Sequence, residues 1–359
     1  MSPYQYPPLR STSVAGTPSW PTRLLLLKPG NADQPLECEI ITVDIINTSA
    51  QYEALSYVCG PDILIDSMSM RCHDTEETLT MPTRCRDGGV PIRLNLLHAL
   101  KAIRYSKTHR LMWVDALCIN QSDPEERGRQ VRHMRQIYKH ANRVIVWLGT
   151  PDEAKLAAFC NARDLCNYRK KLQDIMLGDP GRNEGDLAGN TIVEESTHAR
   201  LQENPAILAS LVELFENEYF RRVWCVQEVV AAKQCTAQCG SETMDFCKLL
   251  PLIKHAQFLP PALSLSPNPL KIWTFVNMTR KRVATGSTQG DRAIGPILHV
   301  LTALRDLGST DHRDRLYAAL GICDEGVSDT TPTLSGTPGI SLLQRGALLA
   351  LEWFFICSD

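Results

Sequence analysis

The stretch LMWVDALCINQSDPEERGRQVRHMRQIYKHANRVIVWLG, residues 111–149, contains two continuous apolar runs separated by a segment of helical pattern. The first run, Leu111–Ala116, and the second, Val144–Leu148, are short enough to be buried strands. Between them Val131, Met134 and Ile137 recur along one helical face. Strand, helix and strand over this length predict a βαβ unit in a parallel sheet that is covered on both faces.

The helix of this unit carries a clear start signal. Asp123 is a good N-cap residue, Pro124 suits the first helical position, and Glu126 stands where it completes a capping box. Arg127 follows at once, with two interpretations open: it holds a phosphate near the helix start, or it pairs with Glu126. We therefore expect a helix that begins at residue 124.

Three polar side chains follow the first predicted strand. In open parallel sheets, ligands bind outside the carboxyl ends of the strands, and Asp115, Asn120 and Gln121 lie at or near such an end. Asp115 is either a ligand-proximal carboxylate or a buried acceptor for backbone amides. Asn120 and Gln121 also suit the closure of a loop by side-chain hydrogen bonds. Both interpretations stay open from the sequence.

The remaining sequence divides into three regions. Residues 1–21 are predicted as a mobile leader, residues 22–235 as the main domain, and residues 236–359 as a mostly helical C-terminal region. Within the main domain, residues 152–204 are polar and Gly-rich in part, which indicates an insertion or long loop. Further predicted elements are strands at 23–27 and 55–58, a helix from residue 94 to 103, and helices at 208–215 and 219–232 with a break near Asn217.

Composition excludes several classes of protein. With 359 residues and 43% hydrophobic content the chain can fill a large core, and a net charge of -2 gives no electrostatic case for nucleic-acid binding. Thirteen cysteines, an odd number, and an N-terminus without an apolar signal core favour a reducing compartment, so we expect a cytoplasmic protein without a membrane span. Cys235, Cys239, Cys247 and His255 are too loosely spaced to predict a zinc site.

Four blocks of sequence together resemble the heterokaryon incompatibility (HET) domain proteins of filamentous fungi. They are YEALSYVCG at residues 52–60, the long block that begins LNLLHALKAIR at residue 94 and ends at residue 149, YFRRVWCVQEVV at 219–230 and DHRDRLYAALGI at 311–322. The first block departs from the family pattern, which usually ends Tyr-Val-Trp-Gly, because Cys59 stands at the tryptophan position. If that tryptophan lines a ligand site in relatives, the departure implies an altered site; a repacked core position is the alternative.

The resemblance implies both a fold and a role. The family acts in nonself recognition and has a suspected distant similarity to the Toll/interleukin-1 receptor (TIR) fold. This implies an α/β protein with a flavodoxin-like, TIR-like central parallel sheet flanked by helices and a helical C-terminal extension. Some TIR members cleave NAD with a glutamate in a Trp-Cys-x-x-Glu run. By resemblance Glu228 becomes the catalytic candidate, and Tyr57, Gly60 and Trp224 join the ligand-binding candidates Asp115, Asn120, Gln121 and Arg127.

Two functions of different class remain open on the sequence. One is a cell-death effector that cleaves NAD, with NAD as substrate and no cofactor or metal. The other is a non-enzymatic signalling module that self-associates or assembles with other incompatibility proteins, in which Glu228 pairs with Arg221 or Arg222. A third, a tailoring enzyme of fungal secondary metabolism, also fits the motifs. The position of Glu228 relative to the strand ends near Tyr57 and Asn120 distinguishes the first two.

Overall fold

We describe the fold from a computed structural model of the protein. The structure describes residues 5–9, 19–31, 33–60, 64–73, 88–177, 187–258, 273, 276–277, 297–309, 311 and 313–322. All of these residues fall within a unit that extends from residue 1 to residue 323. The predicted C-terminal region beyond Ile322 lies outside the described residues, as does most of the predicted leader.

The described residues form one nine-stranded sheet, in the order β5-β4-β2-β1-β6-β3-β7-β8-β9. Strands β6, β3, β7 and β8 run parallel at its centre, whereas β1 is antiparallel to both of its neighbours. The predicted α/β class, a central sheet flanked by helices, is confirmed, with a mixed sheet. The strands are β1 Pro21–Leu27, β2 Glu37–Asp44, β3 Glu53–Ser56, β4 Leu64–His73, β5 Gly88–Arg93, β6 Arg110–Trp113, β7 Arg143–Trp147, β8 Cys235–Cys239 and β9 Glu242–Asp245.

The helices pack around this sheet. They are α1 Leu94–Ile103, α2 Asp115–Cys118, α3 Pro124–His140, α4 Glu153–Leu177, α5 Leu187–Glu203, α6 Pro205–Phe215, α7 Val223–Ala231, α8 Phe246–Leu249, α9 Ile297–Leu304 and α10 Arg313–Ile322. Two 3₁₀ segments, Glu218–Arg221 and Leu250–Phe258, complete the described elements. In the described part of the chain, none of the helices combines the length and apolar character needed to cross a membrane.

The predicted βαβ unit exists as β6, α3 and β7, and β3 lies between its two strands. The strands predicted at 55–58, 111–116 and 144–148 are therefore parallel neighbours in one sheet. The first strand ends at Trp113, three residues earlier than predicted, because the chain turns at Val114 into α2. Met134 and Ile137 of α3 are buried as expected, and Val131 is half-buried. The Tyr138 hydroxyl donates to the Leu55 carbonyl at 3.1 Å and joins α3 to β3.

Segment 152–204 contains helices rather than a long loop. Helix α4 covers residues 153–177 and α5 covers residues 187–203. The buried residues Ala158, Phe159, Ala162, Leu165 and Cys166 lie at helical spacing, which the polar composition of the whole segment hides. The sheet also continues past residue 235, since β8 and β9 begin at Cys235 and Glu242.

An ion pair with no solvent access stabilises the junction of β1, α2 and α3. Arg23 is 0% exposed and donates to both carboxylate oxygens of Glu126, at 2.6 and 3.0 Å. The same guanidinium donates to the Cys118 carbonyl at 3.2 Å and to the Pro7 carbonyl, and it lies 5.0 Å from the Tyr6 ring centre. Part of the predicted mobile leader is thus fixed to the domain by this pair.

The predicted capping box at α3 is only half correct. Asp123 caps the helix, accepting from the Glu125 and Glu126 amides at 2.9 and 3.1 Å, and Pro124 takes the first position. The Glu126 carboxylate does not accept the hydrogen bond from the Asp123 backbone amide that a capping box requires. Its carboxylate accepts from Arg23 and from the Asn120 amide at 2.6 Å. A buried guanidinium binds this carboxylate more strongly than a single backbone amide.

We predict that Arg23→Met lowers the free energy of unfolding by about 3–5 kcal/mol, because it leaves the Glu126 carboxylate buried and uncompensated. Arg129→Met is the matched control: Arg129 pairs with Glu125 on the surface of the same helix, so its loss costs less than about 1 kcal/mol. Urea unfolding followed by circular dichroism measures both. Equal effects of the two substitutions would contradict a structural role for the buried pair.

Candidate functional site

The Glu228 carboxylate lies inside the protein at the carboxyl end of β3. Glu228 is only 5% exposed, and its Oε2 accepts a hydrogen bond from Ser56, the last residue of β3. The Tyr138 hydroxyl forms a second hydrogen bond to this side chain. Ser56 also shares a 2.7 Å hydrogen bond with the Tyr219 hydroxyl. Three hydroxyl groups therefore surround one buried carboxylate.

Burial changes the acidity of this carboxylate. Removal from water raises the pKa of Glu228 to about 7, and the negative charge of Asp115 acts in the same direction. The Ser56 hydrogen bond and the Arg222 charge lower the pKa in part. Near neutral pH the group therefore exchanges a proton readily, a property that is common in catalytic carboxylates.

Helix α7 brings Glu228 to this position from a segment with an apolar face. Val223, Cys225, Val226 and Val229 are buried, and Glu228 lies among them on the inner face of the helix. The preceding 3₁₀ segment places Tyr219 and Phe220 in an aromatic cluster with Phe246 and Trp273; the Phe220 and Trp273 ring centres are 5.1 Å apart. This cluster fixes the start of α7 against the sheet.

Tyr57 and Asp115 form a second polar group beside Glu228. Tyr57 follows Ser56 directly, is buried, and its hydroxyl donates to the Asp115 carboxylate. Asp115 also accepts from the Ala116 amide at 2.7 Å. Burial raises the pKa of Asp115, whereas these hydrogen bonds and the Arg222 charge lower it. Asp115 thus accepts a backbone amide, as one interpretation predicts, and its charge acts on the candidate catalytic carboxylate. The other interpretation, that it lies next to a ligand, stays a prediction.

Arg222 supplies the positive charge of the site. Its Nη1 donates to the Tyr57 carbonyl at 3.1 Å and lies 3.9 Å from the Cys59 sulfur. The alternative in which Glu228 pairs with Arg221 or Arg222 is not found among the described residues. Arg221 pairs with Glu216, and Arg222 acts on Glu228 only through its charge. Cys59, at the position of the usual tryptophan, is half-buried beside this guanidinium.

The other predicted residues have different placements. Gly60 adopts φ +71°, which favours glycine, and its carbonyl accepts from Arg93 at 3.1 Å. Trp224 is half-buried and forms a hydrogen bond with Asp314 of α10.

Gln121 donates to the Asp115 carbonyl at 3.0 Å, and Asn120 accepts from the Ser122 amide at 3.2 Å. These two amides close the loop, as one interpretation predicts. Arg127 is exposed on α3.

The structure thus brings together Glu228, Tyr57 and Asp115 and adds residues that the sequence did not single out. These are Ser56, Tyr138 and Tyr219, which contribute the hydroxyl groups around Glu228. Arg222, which the sequence offered only as a possible ion-pair partner of Glu228, supplies the positive charge. Ser56 is a polar residue inside an apolar strand, which was an available signal in the sequence for a functional position.

A cavity of about 310 Å³ lies at the carboxyl ends of β7 and β8. Leu148 and Cys239 are among its lining residues, and Glu228 does not line it.

The sequence profile described as heterokaryon incompatibility protein (HET) matches residues 52–228, the segment from Tyr52 before β3 to the candidate carboxylate. Residues 52–228 form a HET domain. The match ends at Glu228 itself, so the elements that build the candidate site, β3, α2, α3 and α7, come largely from this domain.

One curated relative supports the assignment. The chain is 29% identical over 255 residues to "Heterokaryon incompatibility protein 6, OR allele" of Neurospora crassa, a match that covers 64% of this chain and 34% of the relative. The chain therefore matches only about a third of the relative's length. No solved structure matches. The expected similarity of the HET domain to the TIR fold stays a prediction.

We predict that the stability of the HET domain depends on pH through Glu228. The pKa of Glu228 is about 7 in the fold against 4.5 ordinarily, so between these values only the unfolded chain loses the proton. Rising pH therefore favours unfolding between pH 4.5 and 7, by up to about 3 kcal/mol, and has no further effect above pH 7. Glu228→Gln removes this dependence.

The measurement is the free energy of unfolding of wild type and Glu228→Gln at several pH values from 4.5 to 8. Other titrating groups are common to both proteins, so the difference between the two isolates Glu228. The exposed Glu203 at the end of α5 gives the control Glu203→Gln, which should follow the wild type. A difference between wild type and Glu228→Gln that does not change with pH would show that Glu228 is not a protonated group in the fold.

Proposed function

We propose that this HET-domain chain acts in fungal heterokaryon incompatibility as a cytoplasmic effector that triggers cell death by cleaving NAD. The family match and the name of the Neurospora crassa relative support the incompatibility role. The cleavage reaction rests on one observation: the Glu228 carboxylate lies at the carboxyl end of the central parallel strand β3, with its pKa raised to about 7. This is the edge at which open α/β sheets bind ligands.

The chemistry requires few groups. Cleavage breaks the bond between ribose C1′ and the nicotinamide nitrogen, which keeps the bonding electron pair and leaves as neutral nicotinamide. The remaining oxocarbenium-like carbon is stabilised by the negative charge of Glu228 and then attacked by water, whose proton passes to the carboxylate or to solvent. No metal or redox step enters this sequence.

The neighbouring residues suit the rest of such a substrate. Arg222 carries the positive charge that favours the diphosphate, and Asp115 and Tyr57 offer hydrogen-bond partners for ribose hydroxyl groups. Because Glu228 is 5% exposed, substrate access requires a movement that opens the site. The proposed enzyme is therefore closed in this conformation and opens when it is activated, for example by self-association.

A second candidate function is a non-enzymatic module that self-associates or assembles with other incompatibility proteins. The burial of Glu228 favours it, since a carboxylate enclosed by Ser56, Tyr138 and Tyr219 is also a suitable polar anchor for α7 on the sheet. In this case the carboxylate stabilises the fold and contacts no substrate.

We predict that purified protein releases nicotinamide from NAD and that Glu228→Gln slows this release by about a hundredfold or more, because it removes the charge that stabilises the transition state. Glu203→Gln is the matched control, since it makes the same chemical change on the surface of α5 and should keep the wild-type rate. Nicotinamide is measured by chromatography at equal protein concentrations, with and without a crowding agent that promotes self-association.

Two results would contradict NAD cleavage by Glu228. Equal release by wild type and Glu228→Gln above a blank without protein removes this carboxylate from the reaction. No release by assembled wild type favours the non-enzymatic module. Circular dichroism confirms that each variant is folded. Expression in a filamentous fungus adds a cellular readout, because toxicity that persists in Glu228→Gln shows that killing does not need the carboxylate.

A further inference from the structure

A second cavity lies at the opposite edge of the sheet, at the amino ends of β3, β6 and β7. It has a volume of about 400 Å³, and its lining includes Glu53, Tyr105, His109, Arg110, Asn142 and Arg143. Glu53 begins β3, whereas Ser56, which contacts Glu228, ends it. The cavity volume falls in the range of small-molecule sites in proteins.

The charges of this cavity do not cancel. Glu53 accepts from Arg110 Nε at 2.5 Å and from Arg143 Nε at 2.7 Å, so one carboxylate serves two guanidinium groups. Glu53 is the single acidic residue in the lining, which also contains the two arginines. The cavity is therefore positive overall, which favours an anionic ligand.

The exposed groups indicate where a ligand binds. Arg110 and Glu53 are nearly buried, with side chains 7% and 15% exposed, whereas the Arg143 side chain is 35% exposed. Tyr105 is 42% exposed although it is aromatic, and the Arg110 guanidinium lies 4.5 Å from its ring centre. The buried pair holds the site in place, and Arg143 and Tyr105 offer a cation and a flat ring to solvent.

We propose that this cavity binds a small anionic molecule that carries a planar ring and a phosphate or carboxylate group. The anion binds Arg143, with His109 and the Asn142 side-chain amide as further donors, and the ring stacks on Tyr105. The proposal does not depend on NAD cleavage, since the cavity uses none of the residues around Glu228.

Isothermal titration of the full chain tests the proposal with three probes: AMP, orotate and adenosine. AMP pairs a ring with a phosphate, orotate pairs a ring with a carboxylate, and adenosine has the ring without the anion. We expect AMP or orotate to bind with a Kd below about 1 mM and adenosine to bind at least about tenfold more weakly. The stronger of the two anionic probes identifies the group that the site prefers.

Two variants locate the binding. Arg143→Gln should weaken the binding of the anionic probe by at least about tenfold. Arg163→Gln should leave this binding unchanged. Arg163 is a matched control because it lies away from the cavity and, like Arg143, is about one-third exposed and pairs with a glutamate, here Glu242. Tyr105→Leu should also weaken the binding of AMP. Because the Tyr105 ring is exposed, this variant should stay folded even if Arg143→Gln does not.

Four results would overturn the proposal. They are no binding of AMP or orotate by wild type at millimolar concentration, equal weakening by Arg143→Gln and Arg163→Gln, adenosine that binds as tightly as AMP, and unchanged AMP affinity in Tyr105→Leu. Equal weakening by both arginine variants would indicate that the probes respond only to the general charge of the surface.

Discussion

The buried pair of Arg23 and Glu126 joins parts of the chain that are distant in sequence. Arg23 lies on β1 and Glu126 in the first turn of α3, and their hydrogen bonds reach the Cys118 carbonyl, the Asn120 amide and the Pro7 carbonyl. Because water is almost excluded from this pair, its charges depend on these hydrogen bonds, which fix the geometry around it, although Arg23 Nε has no hydrogen-bond partner. The loop that follows β6, and with it Asp115, takes its position from this pair.

The short strand β3 has the same central importance for the two candidate sites. It runs between β6 and β7 at the middle of the sheet, with Glu53 at its amino end and Ser56 at its carboxyl end. Glu53 binds two arginines in a polar cavity, whereas Ser56 binds the buried Glu228. Because β3 and its neighbours are parallel, the two candidate sites lie at opposite edges of the sheet: Arg110 and Arg143 bind Glu53 at the amino edge, and Asp115 and Arg222 lie near Glu228 at the carboxyl edge.

The candidate site at the carboxyl edge combines two opposing requirements. A carboxylate used for charge stabilisation needs a low-dielectric surrounding, and Glu228 has one, with hydroxyl groups from Ser56 and Tyr138. The same enclosure limits access to the carboxylate, since Glu228 is only 5% exposed. Under the proposed function, this combination suits an effector that stays inactive until recognition, since a permanently open site would damage the cell that produces it.

Local signals in the sequence predict the α/β class, the three central strands and the start of α3 at Asp123, because hydrophobic period and cap residues act over short stretches. Asp115 follows from its place at the end of a predicted strand, whereas Glu228 and Tyr57 follow from the family resemblance. The sequence could not determine partners that come from distant segments. Glu126 binds Arg23, 103 positions away, and Glu228 binds Ser56, 172 positions away, instead of its neighbouring arginines. These pairs form only in the folded protein, because burial removes water as the competing partner and each charge then binds the groups that the fold places beside it.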